Sequence, residues 1–425
     1  MKWVTRLFLI ISLLAYGSVA FAADLELPDL SGKEITVYYM AAATYDVAAM
    51  RMAPIFEQLT GCKVRVVADP YLSLYEKEFT ALVSGSDAYD VMQVAYQWDG
   101  QFVPFLEPLD EYIQSFGVNM EEFIPGVLNN CGYWDGKYYG IPNACDVYSF
   151  IYRTDIFEEK GLNIPTTWED VNDVAAKLTT EDMYGMSLAG LGEQVGQFWR
   201  ARYIGLGGKL LNESWEPLLE EYKDVGIKAA QLLIDLLQYC PPGTLSYGYP
   251  EQMQSFLSGR AAMAEVWPSF LRGPANNPDE SKVVGKWAFA PYPKGTGELS
   301  GWSLGIPKSA KNKEAAFAWI ALFTNEDNQK TFFKDIGIGP TRIAIYQDDT
   351  LLAEHPDLNG ILPGLMNPVP RFRVAQSQEA YDFMDARVSA FLSGQITPEE
   401  FIKEVNTKWE ELFSKDKPSS PYTGP

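Results

Sequence analysis

Residues able to support metal or covalent chemistry are few in this chain. Its 425 residues include one histidine, His355, and four cysteines, and no CxxC, HExxH or EF-hand pattern occurs. A single histidine cannot form a multi-histidine metal site, so the sequence argues against a transition-metal enzyme. We expect no cofactor.

One short segment matches a catalytic motif. GWSLG, at 301–305, has the G-x-S-x-G pattern of the α/β-hydrolase nucleophile elbow, and His355 lies downstream in the order of that family. The elbow must run straight into a helix, but Pro307 follows four residues after the serine and would break the helical hydrogen bonds. We therefore predict a glycine-flanked bend. Because 56 acidic residues create carboxylate pairs by chance, a glycosidase is neither indicated nor excluded.

Aromatic side chains are more informative. Their faces stack on the C–H faces of sugar rings, while carboxylates, amides and guanidinium groups bind the hydroxyls. For any single aromatic, core packing is the commoner role, and Trp319, in an amphipathic helical pattern, belongs to the core. Seven aromatics lie in segments typical of loops or of the ends of elements: Tyr45, Tyr71, Tyr96, Trp98, Trp199, Trp267 and Trp302.

Asp146 is a carboxylate in an unusual setting. Its neighbours in NACDVYSFIYR are uncharged until Arg153, which indicates a buried side chain. Such a carboxylate either binds ligand hydroxyls or serves as a structural salt bridge or cap. We favour the ligand role.

The length of 425 residues suggests two or more domains, and the N-terminal residues indicate an exported protein. The net charge of −22 disfavours nucleic acid and anionic membranes as partners. Residues 1–22 have a basic start, an apolar stretch and a small-x-small site, as in a signal peptide. Ala23 is not the cysteine of a lipoprotein, so we expect a free periplasmic protein. No later stretch has the roughly 20 apolar residues of a membrane helix.

The four cysteines could form up to two disulfides in an exported protein, with three possible connectivities for two bonds. Counting outward from a predicted Asp135-Gly136 hairpin turn puts Cys131 opposite Gly140. Hairpin geometry alone therefore does not pair Cys131 with Cys145, and the connectivity stays open.

Strand and helix patterns alternate in the first hundred residues. Strands are predicted at 35–40, 64–67 and 91–95, with helices at 47–59 and 72–83 between them. This order predicts an α/β fold with a largely parallel sheet.

Further helices are predicted along the rest of the chain. Thr167 and Asp170 resemble a capping box, and Asn312 is a good N-cap residue. Residues 165–170 are predicted to open one helix, and further helices are predicted over 225–237, 312–323, 378–392 and 399–413.

Several segments, in this order, resemble the family 1 extracellular solute-binding proteins, the sugar-capturing subunits of bacterial ABC importers. They are LYEKEFTALVSGSDAYDVMQV, GKYYGIPNACDVYSFIYRTDIF, PTTWEDV, FLSGRAAMAEVW, GWSLGIPKSAKNKEAAFAWIALFTNEDNQ and GIGPTR. The first run is most similar to the branch with sorbitol- and mannitol-binding members. The similarity spans nearly the whole chain after residue 22.

The resemblance implies a two-lobed periplasmic binding protein fold of type II, with a ligand held between α/β lobes joined by a hinge. The expected first lobe is 23–145 plus 304–342, and the second is 146–303 plus 343–425. The expected partners are a small sugar or polyol and the permease subunits of an importer with a cytoplasmic ATPase. We expect a monomer.

The resemblance also carries ligand-binding roles onto particular residues. Asp146 lies at the first crossing between lobes, where relatives often place an acidic residue facing the sugar. Arg342 and Arg371 could equally hold the protein's own carboxylates. The remaining candidates are Trp98 and Asp99 after the third strand, Trp267 after GRAAM, Trp302 at the return crossing, Tyr381 in a late segment, and Tyr45 and Trp199.

Two other functions remain open from the sequence. Acidic and aromatic clefts also suit cations, so the solute could be a polyamine or a sugar-like osmolyte. A secreted carbohydrate-active enzyme is the alternative from a different class. Turnover of a bound oligosaccharide would distinguish that enzyme from a carrier.

Overall fold

The first sheet has five strands, and four of them are parallel. A computed structural model describes residues 25–41, 44–191, 195–415, 422 and 424; the predicted signal peptide at 1–22 lies outside them. The strand order is β2-β1-β3-β10-β6, and only β10 runs antiparallel to its neighbours. The largely parallel sheet is therefore confirmed here. Its strands are β1 (Glu34–Met40), β2 (Lys63–Asp69), β3 (Val91–Ala95), β6 (Gly140–Val147) and β10 (Leu299–Gly305).

The second sheet has three strands and differs from the prediction, because both of its pairings are antiparallel. Its order is β8-β7-β9. A separate hairpin, β4 with β5, has Asp135 and Gly136 at positive φ in its turn, as predicted. The strands are β7 (Ser149–Arg153), β8 (Met263–Val266), β9 (Trp287–Pro291), β4 (Tyr133–Trp134) and β5 (Lys137–Tyr138).

Helices cover both sheets. The capping box of Thr167 and Asp170 is confirmed, whereas the side chain of Asn312 does not cap its helix and instead donates to Glu34 O. The helices are α1 (Tyr45–Thr60), α2 (Tyr71–Ser84), α3 (Asp99–Phe102), α4 (Asp110–Ser115), α5 (Pro125–Leu128), α6 (Thr154–Lys160), α7 (Trp168–Leu178), α8 (Val195–Gly205), α9 (Lys223–Leu236), α10 (Tyr249–Leu257), α11 (Pro268–Asn276), α12 (Lys313–Phe323), α13 (Glu326–Ile336), α14 (Asp349–Glu354), α15 (Leu362–Met366), α16 (Ser377–Leu392) and α17 (Pro398–Lys415).

Each sheet packs against a large apolar core, and a third apolar cluster includes Val147 of the first sheet and Ile151 of the second. The first core surrounds Val37, Phe102 and Trp319, and the second surrounds Phe150 and Phe372. We call the parts of the chain around these cores the first and second lobes. The chain leaves the first sheet after Val147 and rejoins it at Leu299, close to the predicted crossings. The exact domain limits given above remain a prediction.

All four cysteines are buried and free. Tyr139 N donates to Gly132 O at 2.7 Å, so the register counted from the hairpin turn holds as far as Gly132 and Tyr139, one position before Cys131 and Gly140. The structure thus contains neither of the two disulfides that the cysteine count allowed.

Candidate functional site

A cleft of about 310 Å³ lies beside the ends of strands from both sheets. Met40 ends β1, Tyr96 follows β3 and Trp267 follows β8, so the cleft lies at the carboxyl ends of strands, where α/β sheets commonly bind ligands. Its wall is mainly aromatic: Tyr45, Tyr71, Tyr96, Tyr249, Trp267, Phe270 and Trp302. The polar side chains are Gln97, Ser269, Glu298, Ser300, Arg371 and Gln378.

The aromatic wall of the first lobe is built around Trp302. The rings of Tyr45 and Tyr71 lie 5.7 and 6.0 Å from it. Trp98 packs behind this wall, with its ring 5.7 Å from Trp302 and 5.1 Å from Tyr71. The wall is therefore fixed from behind, which leaves its faces oriented for a ligand.

The opposite aromatic wall comes from the second lobe. The indole N–H of Trp267 donates to Tyr249 Oη at 3.0 Å, and Tyr148 meets the Trp267 ring edge-on at 4.6 Å. Phe270, one helical turn further on, is 41% exposed and lines the cleft. The hydrogen bond of Trp267 fixes the plane of its ring relative to the cleft.

Glu298 is the carboxylate of the cleft. Arg371 Nε donates to Oε1 at 2.7 Å, and Arg200 bonds to Oε2. Both guanidinium groups also pack on the ring of Tyr381, at 4.9 and 5.1 Å. Burial lowers the pKa of Arg371, but Glu298, Asp385 and the neighbouring tyrosines together outweigh this effect and raise the pKa well above its usual value. The guanidinium of Arg371 therefore keeps its charge beside Glu298.

Asp385 lies next to this charged cluster. Its Oδ1 accepts from Gly196 N–H at 2.9 Å, and Oδ2 has no hydrogen-bond partner. Burial raises the pKa of Asp385 to about 8, although Arg371 acts in the opposite direction. This carboxyl group is therefore largely protonated at neutral pH.

A sequence model of the family described as "Bacterial extracellular solute-binding protein" matches residues 33–330. The match covers more than half of the chain. The chain belongs to this family.

Three similar proteins extend the comparison. A probable amino-acid ABC transporter periplasmic-binding protein of Sinorhizobium fredii is 27% identical over 409 residues, covering 93% of this chain and 94% of that protein. The mannitol-binding protein of Pseudomonas aeruginosa is 27% identical over 360 residues, covering 78% and 79%. The crystal structure of an ABC transporter solute-binding protein from Agrobacterium radiobacter K84 with ribitol has a TM-score of 0.78 and 25% identity, covering 90% of this chain and 100% of that one. This protein is thus the solute-binding protein of an ABC importer, with the predicted two-lobed fold.

Four of the predicted ligand-binding residues line the cleft of this solute-binding protein: Tyr45, Trp267, Trp302 and Arg371. Their contact with a solute remains a prediction. Trp98 and Tyr381 do not reach the cleft wall. Trp98 is buried behind Trp302, and Tyr381 Oη accepts from Arg200 at 2.8 Å, so each supports a residue that does line the cleft.

Asp146 does not line the cleft, and both of its carboxylate oxygens bond to backbone N–H groups. Its Oδ2 accepts from Ser269 N–H at 2.7 Å, and its Oδ1 accepts from Val147 N–H at 2.9 Å. Ser269 is the second residue of α11, whose N-cap residue, Trp267, has no side-chain oxygen. Asp146, which lies in β6, therefore caps the N-terminus of α11. Its side chain lies behind the cleft wall. Burial raises its pKa, while these hydrogen bonds act in the opposite direction.

Asp99 and Arg342 are held by other protein groups and do not line the cleft. Asp99 pairs with Arg373 at 2.7 Å. Arg342 bonds to Glu122, and its Nε donates to Thr324 O at 2.7 Å. For Arg342 the structural alternative left open by the sequence is the one observed.

Trp199, another predicted ligand residue, does not line the cleft. It lies fully buried on α8, stacked on Tyr203 at 4.7 Å, and its N–H donates to Gly226 O at 3.1 Å. The aromatic signal cannot by itself separate such core packing from a cleft position.

Glu298 is the functional candidate that sequence reasoning missed. It stands three residues before Gly301, in the same return segment that drew attention to Trp302. Tyr71 and Tyr96 were noted only as aromatics in loops, and both line the cleft. A search of each crossing segment for carboxylates would have found Glu298 together with Asp146.

The hydrolase motif has no catalytic geometry. Ser303 lies inside β10, paired with Val94 and Pro142 on either side, and is 1% exposed. The segment is neither an elbow nor the predicted bend but a strand, with a register shift between Trp302 and Ser303. A buried strand serine cannot approach a substrate carbonyl.

Among the residues that the structure describes, no group of three or more His, Cys, Asp or Glu side chains could hold a metal ion. In the same residues, no helix has the length and apolar character needed to cross a bilayer.

Proposed function

We propose that this protein captures a neutral polyhydroxylated solute, a sugar or sugar alcohol of one or two sugar units, and delivers it chemically unchanged to its permease. The proposal includes a periplasmic location and action as a monomer, without nucleic acid. The cleft volume of about 310 Å³ lies at the lower end of the roughly 300–1,000 Å³ of small-molecule sites, which supports a small solute.

The buried Glu298–Arg371 pair in a cleft rich in aromatic side chains is the observation that carries the proposal. A carboxylate accepts hydrogen bonds from hydroxyls, and a guanidinium donates hydrogen bonds to them. Together they can bind the O–H donor of a hydroxyl and its acceptor lone pairs. The aromatic faces supply the apolar contacts that C–H groups require. A neutral solute leaves the charge balance of this pair intact.

A polyamine fits this cleft poorly. The charge of Glu298 is already shared between Arg200 and Arg371, so a cation would meet two arginines and only one carboxylate. Two relatives, the mannitol-binding protein and the solute-binding protein solved with ribitol, support the neutral class.

The name of the relative from Sinorhizobium fredii raises an amino acid as a second candidate. Its carboxylate and ammonium groups could bind Arg371 and Glu298, but only by competing with the 2.7 Å bond between them. The neutral solute needs no such exchange and is preferred.

The test is calorimetric titration of the mature protein with D-mannitol, ribitol, maltose, spermidine and L-glutamate. We expect binding of one of the first three solutes. Glu298→Gln should weaken that binding by about 10- to 100-fold, because a hydrogen bond to a charged group is lost. The matched control is Glu379→Gln, which removes an exposed carboxylate paired with Lys408 and should leave affinity unchanged.

Each outcome separates the candidates. Binding of spermidine or glutamate alone would overturn the proposed solute class. Conversion of maltose to glucose would establish an enzyme instead. Equal effects of the two substitutions would remove Glu298 from the binding site.

A further inference from the structure

Residues 371–375, which lead into α16, join the cleft to both lobes; we call them the strap. Phe372 and Val374 are buried in the second core. Arg371 lines the cleft and bonds to Glu298. Arg373, two residues further on, bonds instead to the first lobe. The strap therefore belongs to the second lobe by its apolar side chains and contacts the first lobe by a charged one.

The guanidinium of Arg373 binds to a set of acceptor groups in the first lobe. Its Nη2 donates to Asp99 Oδ2 at 2.7 Å and to Tyr133 O at 2.6 Å, while Nη1 donates to Asn129 O at 3.2 Å. The guanidinium also lies 5.1 Å from the centre of the Trp134 ring. One side chain thus satisfies acceptors from three elements of the first lobe.

Asp99 is itself fixed and buried. It is 1% exposed, between Trp98 and Phe102 of the first core, and it accepts a second bond from Gly132 N–H at 3.2 Å. Separating the lobes would leave this carboxylate without its cation. Because an unpaired buried charge is strongly unfavourable, the pair favours the arrangement in which the lobes are together.

The strap backbone approaches the first lobe as closely as its side chain does. Arg371 N–H donates to Tyr96 Oη at 2.8 Å, and Gln101 Nε2 donates to Ala375 O at 3.1 Å. A Cβ atom on Gly100 would lie only 2.2 Å from the backbone oxygen of Arg373, so the glycine permits the approach.

We propose that the strap is an interlobe latch in which Arg373 and Asp99 are positioning residues for the cleft. The Arg373–Asp99 ion pair holds the strap against the first lobe. It thereby fixes Arg371 and Glu298 opposite the aromatic wall around Trp302. The latch favours lobe closure whichever solute the cleft binds, so it goes beyond the proposed function. Its role is positional, since neither Arg373 nor Asp99 lines the cleft.

The test measures the distance between the lobes in solute-free protein by double electron–electron resonance. Spin labels are placed on cysteines introduced at Val83 in the first lobe and Val284 in the second, both exposed. The native cysteines are buried, so they should resist labelling. Because no solute is added, the result does not depend on the proposed function.

We expect one dominant distance in the parent protein. Arg373→Gln should lower the ratio of closed to open molecules by roughly tenfold or more, since a charge-assisted bond between the lobes is lost. Arg373→Lys should shift the ratio less, because lysine keeps the charge but not the planar fork that reaches Tyr133 O and Asn129 O.

Two further variants separate a latch from general stabilisation. Arg387→Gln removes an ion pair with Glu404 inside the second lobe and should leave the distance unchanged. Gly100→Ala suits the helical backbone but places a methyl group against Arg373 O, so it should also favour the open distance without removing any charge. The proposal is overturned if the distance distributions of Arg373→Gln and Gly100→Ala coincide with that of the parent. If Arg373→Gln fails to fold, Gly100→Ala alone decides.

Discussion

Helix α8 carries two buried arginines that pair with glutamates in contrasting surroundings. Arg202 bonds to Glu265 at 2.7 Å, and both side chains are fully buried. Arg200, two residues earlier and so on another side of the helix, bonds to Glu298 at the cleft. One pair is sealed inside the second lobe, and the other faces the solute site.

The two pairs differ in the groups that surround each carboxylate. Tyr292 Oη donates to Glu265 at 2.6 Å, and Trp168 covers the Arg202 guanidinium at 4.2 Å, so protein groups enclose the sealed pair. Glu298 bonds to two arginines, and its side chain also lines the cleft. The same pairing chemistry therefore serves cohesion in one place and leaves a site for recognition in the other.

The largest effect should come from breaking the sealed pair. Arg202→Met leaves Glu265 buried without its cation, so the free energy of unfolding should fall by about 3–5 kcal/mol in urea denaturation. Arg387→Met, which breaks a partly exposed pair with Glu404, should cost less than about 1 kcal/mol. Equal losses of unfolding free energy in the two variants would show that burial does not determine how much an ion pair contributes to stability.

A second prediction concerns Asp385, the carboxyl group beside the cleft pair. Its pKa is about 8 in the folded protein and about 3.9 in the unfolded chain, so the folded state holds more protons between these values. Stability from this group is therefore present at low pH and lost as the pH rises toward 8. The slope should reach about 1.4 kcal/mol per pH unit.

The check is the unfolding free energy of Asp385→Asn relative to the parent between pH 5 and pH 8. Asparagine keeps an acceptor for Gly196 N–H but does not titrate. The unfolding free energy of the variant should increase steadily relative to that of the parent as the pH rises. A difference that stays constant with pH would mean that Asp385 is ionised throughout. Arg387→Met again provides a control that should show no such trend.

Local patterns predicted the elements of this fold better than its site. The strand at 91–95, the capping box at Thr167 and the Asp135-Gly136 turn depend on neighbouring residues, and all three are present. The second sheet was missed because its strands, at 149–153, 263–266 and 287–291, are far apart in sequence and pair antiparallel. The alternation of strands and helices, which indicated a parallel sheet, holds only for the first lobe.

The site depends on partners that sequence spacing does not reveal. Arg371 finds Glu298 across 73 residues, and Asp146 finds the Ser269 N–H across 123. The setting of Asp146 correctly indicated burial. It could not indicate whether a solute or a helix N-terminus would satisfy the carboxylate, because that choice is made by a distant segment.

The smallest expected effect compares Asp146 with Glu298, two buried carboxylates near the same cleft. Asp146→Asn replaces one of two acceptor oxygens with an amide N–H₂ group, so either the Ser269 or the Val147 bond is lost. The loss of one capping bond at α11 should reduce the free energy of unfolding by about 1 kcal/mol. The midpoint of thermal unfolding measures this change.

Solute affinity then decides between capping and recognition at Asp146. Because both oxygens bond to backbone N–H groups behind the wall, Asp146→Asn should change the dissociation constant by less than about threefold, whereas Glu298→Gln should change it by tenfold or more. A large loss of affinity without a loss of stability would restore Asp146 as a solute-binding group. In that case closure would have to exchange the Ser269 N–H for a solute hydroxyl, and the α11 N-terminus would be part of the recognition surface. The reverse result, a stability change alone, would limit direct recognition by carboxylates to Glu298.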